Sequence, residues 1–248
     1  MKKLITFLLT AVLLFSFSCK KKPIGPVSEK PTFIIYGVVV KDMNIQKDIA
    51  SFAVWRNDTL YSDATVKVGD KTIDSIGTGL YYKEFADTTF KRNTAYVDSI
   101  ISSQDTVTIT FSFTMPDTFR IYPLAANDSL NVGGHSVNVI WSASTSASGH
   151  TISVAKADTL SGARLYSETL SGTQATIPPT AFRNTSDQLI IGYYSIYIVA
   201  YNRSFVSYPG MLFELPSGLP ADNITDARGT IGAGVIARKA TIYVTTTQ

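Results

Sequence analysis

Chemistry needs clustered nucleophiles, bases or ligands, and few of the 248 residues qualify. There is one cysteine, Cys19, and there are two histidines, His135 and His150. A zinc site needs three or four nitrogen, sulfur or oxygen ligands. No His-x-His or His-x-Glu pair exists to begin one. Serines abound, but none sits in a Gly-x-Ser-x-Gly elbow. His135, in a Gly-Gly-His-Ser turn, leaves a Ser-His-Asp set open by spacing, and a catalytic set would need His135 or His150 beside a buried acid and a serine or metal. The run Gly229-Thr230-Ile231-Gly232-Ala233-Gly234 lacks the following Lys-Ser/Thr of a phosphate cradle. Asp222, Asn223 and Asp226 offer oxygens to calcium without the regular acid spacing of an EF-hand loop. Turn capping by Asx side chains explains them more simply. These patterns predict no catalytic residue, no metal and no cofactor. Aromatic side chains are the remaining candidates. Tyr81, Tyr82, Phe205 and Tyr208 would make a sugar-stacking platform if they share an exposed face, although strand aromatics more often pack in cores or across strands.

The N-terminus carries the strongest local signal. Met1-Lys2-Lys3 is followed by an uncharged apolar run, Leu4 to Phe17, and then by Ser18-Cys19. A basic start, a short apolar core and a small residue before the cut make the layout of a secretory signal peptide. The apolar run is shorter than the ~20 residues of a spanning helix. With a lone cysteine after the small residue, residues 1–18 resemble a bacterial lipoprotein signal. Ser18 fits that pattern, whereas Ser16 and Phe17 depart from its usual aliphatic-small-small form. The resemblance implies that Cys19 becomes the acylated first residue. It implies a cell-envelope location, at the outer membrane, on its periplasmic face or its surface. Lys20, Lys21 and Lys22 then form a collar near anionic headgroups, each worth about 1 kcal/mol there. With Pro23, Gly25 and Pro26, residues 19–31 read as a linker.

Loss of Lys2 and Lys3 with the leader lowers the formal charge from +3 to +1. No basic stripe follows the collar, so nucleic acid is not an expected partner. An exported chain without a second thiol must be held by its core rather than by disulfides. Thr, Ser, Val, Ile and Tyr dominate, a strand-favouring profile.

Period-two alternation runs through the chain. Phe33 to Val40 opens it, and Ala64 to Val68 turns back through Gly69-Asp70. Thr106 to Met115 puts Val107, Ile109, Phe111 and Phe113 on one face before Pro116 ends the strand. The pieces A-T-V-K-V-G-D (64–70), G-L-Y (79–81), A-Y-V (95–97) and T-F-S-F-T-M-P (110–116) make residues 32–116 resemble a transthyretin-like or carboxypeptidase-regulatory-like sandwich. In the second half, Val137-x-Val139-x-Trp141 resembles strand B of a fibronectin type III domain. Tyr194-x-Ile196-x-Ile198-x-Ala200-x-Asn202 resembles its strand F. The resemblance covers residues 117–216 and implies a core Trp141 and a corner Tyr194; His150 stands where that family often has tyrosine. Residues 217–248 read as a glycine-containing β tail that packs on a sandwich.

The expected fold is all-β, with two consecutive Ig-like β-sandwich domains after the signal peptide. The expected role is that of a non-enzymatic, membrane-anchored lipoprotein with a structural or protein-interaction task. Its partners would be the membrane, through acyl chains on Cys19, and an outer-membrane protein or the cell wall. Binding is expected at loops, because connections carry most of it: Gly133, Gly134 and His135 in one, Ser146 and Ser148 in another. The alternative is a carbohydrate-binding accessory lipoprotein. Asp-Ser/Thr-aliphatic triplets, such as Asp74-Ser75-Ile76 and Asp98-Ser99-Ile100, also look like the O-glycosylation sequon of some envelope proteins, although the same triplet caps turns.

Overall fold

Strand β1 (Phe33–Asp42) buries Phe33, Ile35 and Val39 on one face and turns Ile34 and Tyr36 to the other. The computed structural model describes residues 31–102, 104–105, 107–156, 166–203 and 224–246. β1 pairs antiparallel with β2 (Lys47–Arg56), which turns through Asn57 and Asp58 into β3 (Thr59–Leu60). Both turn residues have positive φ, as a tight hairpin of this hand requires. β4 (Ala64–Val68) and β5 (Lys71–Ile73) form the hairpin around Gly69 (φ 58°). β6 (Ser75–Gly77), β7 (Leu80–Ala86), β8 (Thr94–Ser102) and β9 (Val107–Met115) complete the first half. One sheet runs β6-β7-β2-β1; the other runs β5-β4-β8-β9. Their inner faces meet through Phe52, Val54 and Tyr81 on one side and Val66, Ile100, Ile109 and Phe111 on the other. Phe52 and Phe111 touch with ring centroids 5.7 Å apart.

The second half has a helical turn (Ala126–Ser129), then β10 (Leu130–Val132), β11 (Val137–Ile140), β12 (Gly149–Lys156), β13 (Tyr166–Leu170) and β14 (Gln174–Ile177). A 3-10 turn (Pro179–Phe182) leads to β15 (Gly192–Asn202), β16 (Arg228–Ile236) and β17 (Ala240–Thr245). β11 pairs with β14, and Ile121 bridges to Trp141 at the end of β11. The facing sheet runs β13-β12-β15-β17, with β10 parallel to β17. This is Ig-like sandwich topology. Trp141 is buried, and the Tyr194 hydroxyl donates to the Ile190 carbonyl at 2.8 Å, which makes a tyrosine corner. The fold is therefore all-β, with two consecutive Ig-like sandwiches.

The tail strand β16 joins both sandwiches. It runs parallel to β1 from Ile34↔Arg228 to Asp42↔Ile236. Its last residues also pair antiparallel with β15, from Asn202↔Ala233 to Val199↔Ile236. The two sandwiches thus share one eleven-stranded sheet, and one apolar cluster runs through both. Glycines make this possible. Gly232 and Gly234 stand opposite Val38 and Val40, and Tyr201 stands opposite Gly234. Val38, Val40, Ile49, Val199, Tyr201 and Ile236 close into a second cluster on the outer side. At Gly229 (φ 122°) an added Cβ would stand 1.7 Å from the Ile35 carbonyl oxygen.

Side chains lock the joint. The Asn44 amide donates to the Ala237 carbonyl at 3.0 Å and accepts from the Lys239 amide at 2.8 Å. Asn202 accepts from the Thr114 amide at 3.3 Å and donates to the Ser146 carbonyl at 2.9 Å.

Candidate functional site

The shared strand gives the molecule an axis. From Ile34 beside Arg228, β1 and β16 run to Ile236, and β17 continues in the same sense to Thr245. At the far pole the Gly133 amide donates to the Thr245 carbonyl at 2.7 Å. The eighteen residues of this run, at 3.2–3.4 Å each, span roughly 60 Å. The chain enters at one pole, and the Gly133-Gly134-His135 turn lies at the other.

That turn is built to hold its shape. Gly133 and Gly134 both have positive φ, 77° and 65°. Buried Asn131 accepts from the His135 amide at 2.8 Å and donates back to its carbonyl at 3.0 Å. The exposed imidazole faces the Val132 carbonyl with Nδ1 (3.4 Å) and Asp128 with Nε2 (3.3 Å). Both ring nitrogens face acceptors, a carbonyl and a carboxylate, and neither faces a serine hydroxyl among the described residues.

Ser146 and Ser148, expected in a binding loop, lie beside the joint between the sandwiches. The Ser146 hydroxyl donates to Asn93, and the Ser148 amide donates to the Tyr201 carbonyl at 2.7 Å. Nearby, the Ser144 hydroxyl donates to the Asp117 carbonyl at 2.5 Å. The loop is turned toward the first sandwich because β16 pulls that end of β15 against β1.

The aromatic set divides by strand parity. Tyr81 stands opposite Phe52 in the core and is 1% exposed. Its hydroxyl donates to the Tyr61 carbonyl and accepts from the Ala64 amide, both at 3.1 Å. A ring so enclosed has no face for a sugar, which corrects its place in the platform. Tyr82 is half-buried on the outer face, with its hydroxyl on Glu84 at 2.9 Å. Phe205, Tyr208, Cys19, Asp222 and Asn223 lie outside the described residues. The most exposed tyrosine described is Tyr193, 60% exposed and 4.7 Å from Tyr243.

His150 is buried between Phe119 and Trp141, with ring centroids at 5.4 and 5.6 Å. Neither imidazole nitrogen, nor the Trp141 indole nitrogen, completes a hydrogen bond among the described residues. Burial lowers the histidine pKa.

Three buried charged residues, Lys41, Asp48 and Asp98, escaped the sequence reading. Lys41 and Asp48 form an ion pair at 2.5 Å with almost no exposure. Lys41 also donates to the Asp87 carbonyl, and Asp48 accepts from the Phe90 amide at 2.7 Å, so the pair pins the 87–90 turn. Burial pushes Asp48 above the ordinary carboxylate range, against the opposing pull of Lys41 and Phe90. Asp98 points inward from β8 and accepts from the Gly69 amide, while its second oxygen has no partner among the described residues. Burial pushes its pKa up to about 6. Parity along Thr94 to Ile100 places Asp98 on the face of Tyr96 and Ile100, a signal present in the sequence.

Among the described residues, two shallow hollows stand out. One, of about 380 Å³, lies where the outer face of β8 and β9 meets Ser148 and Asn202. The other, of about 430 Å³, is lined by Tyr122, Leu124, Asp128 and Ile140. Neither gathers convergent ionisable groups. No cluster of three potential metal ligands occurs among the described residues. No helix among them is long and apolar enough to cross a membrane.

No protein-family model matches the chain, and no curated protein matches it. Solved structures that resemble it include the FN1–FN3 domains of chicken CNTN1, at 11% identity and a TM-score of 0.26. That match covers 86% of this chain and 65% of the chicken chain. The fibronectin(III)-like modules of Clostridium thermocellum CbhA match at 13% identity and a TM-score of 0.24, over 84% of this chain and 94% of that one. These superpositions are too loose to define a common fold, and the fold class rests on the strand pairings and the tyrosine corner.

Proposed function

We propose that the chain is a non-enzymatic envelope lipoprotein, anchored through Cys19, whose two sandwiches form a rigid spacer with a structural or protein-interaction role. The observation that carries this reading is β16, one strand that completes a sheet of each sandwich and leaves no flexible linker between them. A bilayer-held protein of this build would present the Gly133-Gly134-His135 turn and the neighbouring exposed Ile191 and Tyr193 away from the tether. The kind of partner that fits is an outer-membrane protein or a cell-wall component. The test compares the chain with its Cys19→Ser variant in native cells. The parent should fractionate with membranes and crosslink to a discrete partner there; the variant should be soluble and lose that crosslink. An unmodified parent that fractionates as a soluble protein would sink the anchor.

A further inference from the structure

The outer face of β1 to β3 carries an apolar row beside the point where the chain enters. Trp55 stands opposite Ile34 on one side and Leu60 on the other, and Ile34 in turn stands beside Arg228 of β16. Tyr36, one outward position further along β1, is 37% exposed and packs edge-on against Trp55 at 5.6 Å. Arg228 is exposed and makes no ion pair among the described residues. One residue type at a time this is ordinary surface. Together, tryptophan, tyrosine, aliphatic side chains and an arginine are the composition of a membrane interface, where ring bodies sit among headgroups and a guanidinium meets phosphate.

We infer that this face docks on the lipid surface to which Cys19 is tethered. The inference rests on the lipid-anchor reading above. The tether is short: residues 20–31 can span at most about 40 Å, and they deliver the chain directly into β1. The face is thus held within reach of the bilayer, unlike exposed Ile140 and Tyr193 in the second sandwich. Charge selects the orientation. The end turns of this pole carry exposed Asp58 and Asp63, which anionic headgroups repel, while Asp105 is neutralised by Arg56 at 2.5–2.8 Å. The sandwich therefore leans onto its Trp55 face, with Arg228 toward the phosphates, instead of standing on its tip.

The two tryptophans make a direct test, because Trp141 is 1% exposed and lies in the second sandwich. The full lipidated chain is reconstituted into phosphatidylethanolamine–phosphatidylglycerol vesicles with brominated acyl chains. Docking predicts loss of part of the tryptophan emission together with a blue shift, and neither effect in Trp55→Phe, which should still float with the vesicles. Trp55→Tyr should float and show the same absence of quenching. Co-flotation of the parent with unquenched emission overturns the docking and leaves the anchor standing. Failure of the parent to float overturns both.

Discussion

Asp98 is the residue most at odds with its surroundings. One carboxylate oxygen is held by the Gly69 amide, and the other faces the interior with no partner among the described residues. A charged group in that position is destabilising unless something else compensates it. The folded pKa, about 6, is raised above the ordinary 3.8. Proton uptake by the folded chain therefore adds stability as pH falls through 6, is complete below 3.8, and is lost again as pH rises through 6. Asp98→Asn keeps an acceptor for Gly69 and removes the charge. We expect it to stabilise the chain at pH 7.5 by on the order of 1–2 kcal/mol, a figure lowered for residual solvent screening. The gain should shrink toward pH 4. Chemical denaturation at the two pH values measures it, and an equal effect at both would show that the charge is not the cause.

Element β16 depends on backbone freedom that only glycine supplies. Gly229 has φ 122° and would place a Cβ against the Ile35 carbonyl of its parallel neighbour. Gly77, on the edge strand β6, has a comparable φ of 100° but open space around it. Gly229→Ala should therefore cost about 3 kcal/mol or more, and Gly77→Ala about 1 kcal/mol. Melting curves of the two variants separate steric collision from torsional strain; equal losses would leave torsion as the only effect. The same element marks where the sequence was legible. Local alternation located β9 and the Gly69 hairpin, because each depends on neighbours a few residues away, while the core Trp141 and the corner at Tyr194 came with the resemblance to a fibronectin type III domain. The double pairing of β16 depends on partners at residues 34–42 and 199–202, and its glycines read locally as turn signals. The surroundings of Ser146 and Ser148 were hidden for the same reason: only the pairing of β16 brings the first sandwich beside their loop. Tyr81 differs, since its parity opposite Phe52 was present in the alternation of Leu80 to Phe85.

At the scale of the whole molecule, sharing a strand turns two sandwiches into one thermodynamic unit. Sandwich modules joined by a linker unfold independently, because each keeps its own edges and core. Here, loss of β16 exposes the β1 ladder and the buried Ile231, Ala233 and Val235, and it also strips β15 beyond Ile198 of one of its two neighbours, leaving only β12. Neither half can open at this strand without releasing it from the other. The Asn44 and Asn202 bridges add polar links that both halves must break together. The tryptophans again report separately, Trp55 on the first sandwich and Trp141 on the second. Urea titrations of Trp141→Phe and Trp55→Phe, each leaving one reporter, should give transitions of the same shape and slope. Each midpoint should agree with that variant's own far-ultraviolet dichroism. Such coincidence is the signature of a single cooperative transition. A fluorescence transition displaced from the dichroism of the same variant would mean that one sandwich survives without the other. In that case β16 would bridge two domains without coupling them, and the spacer would have a hinge.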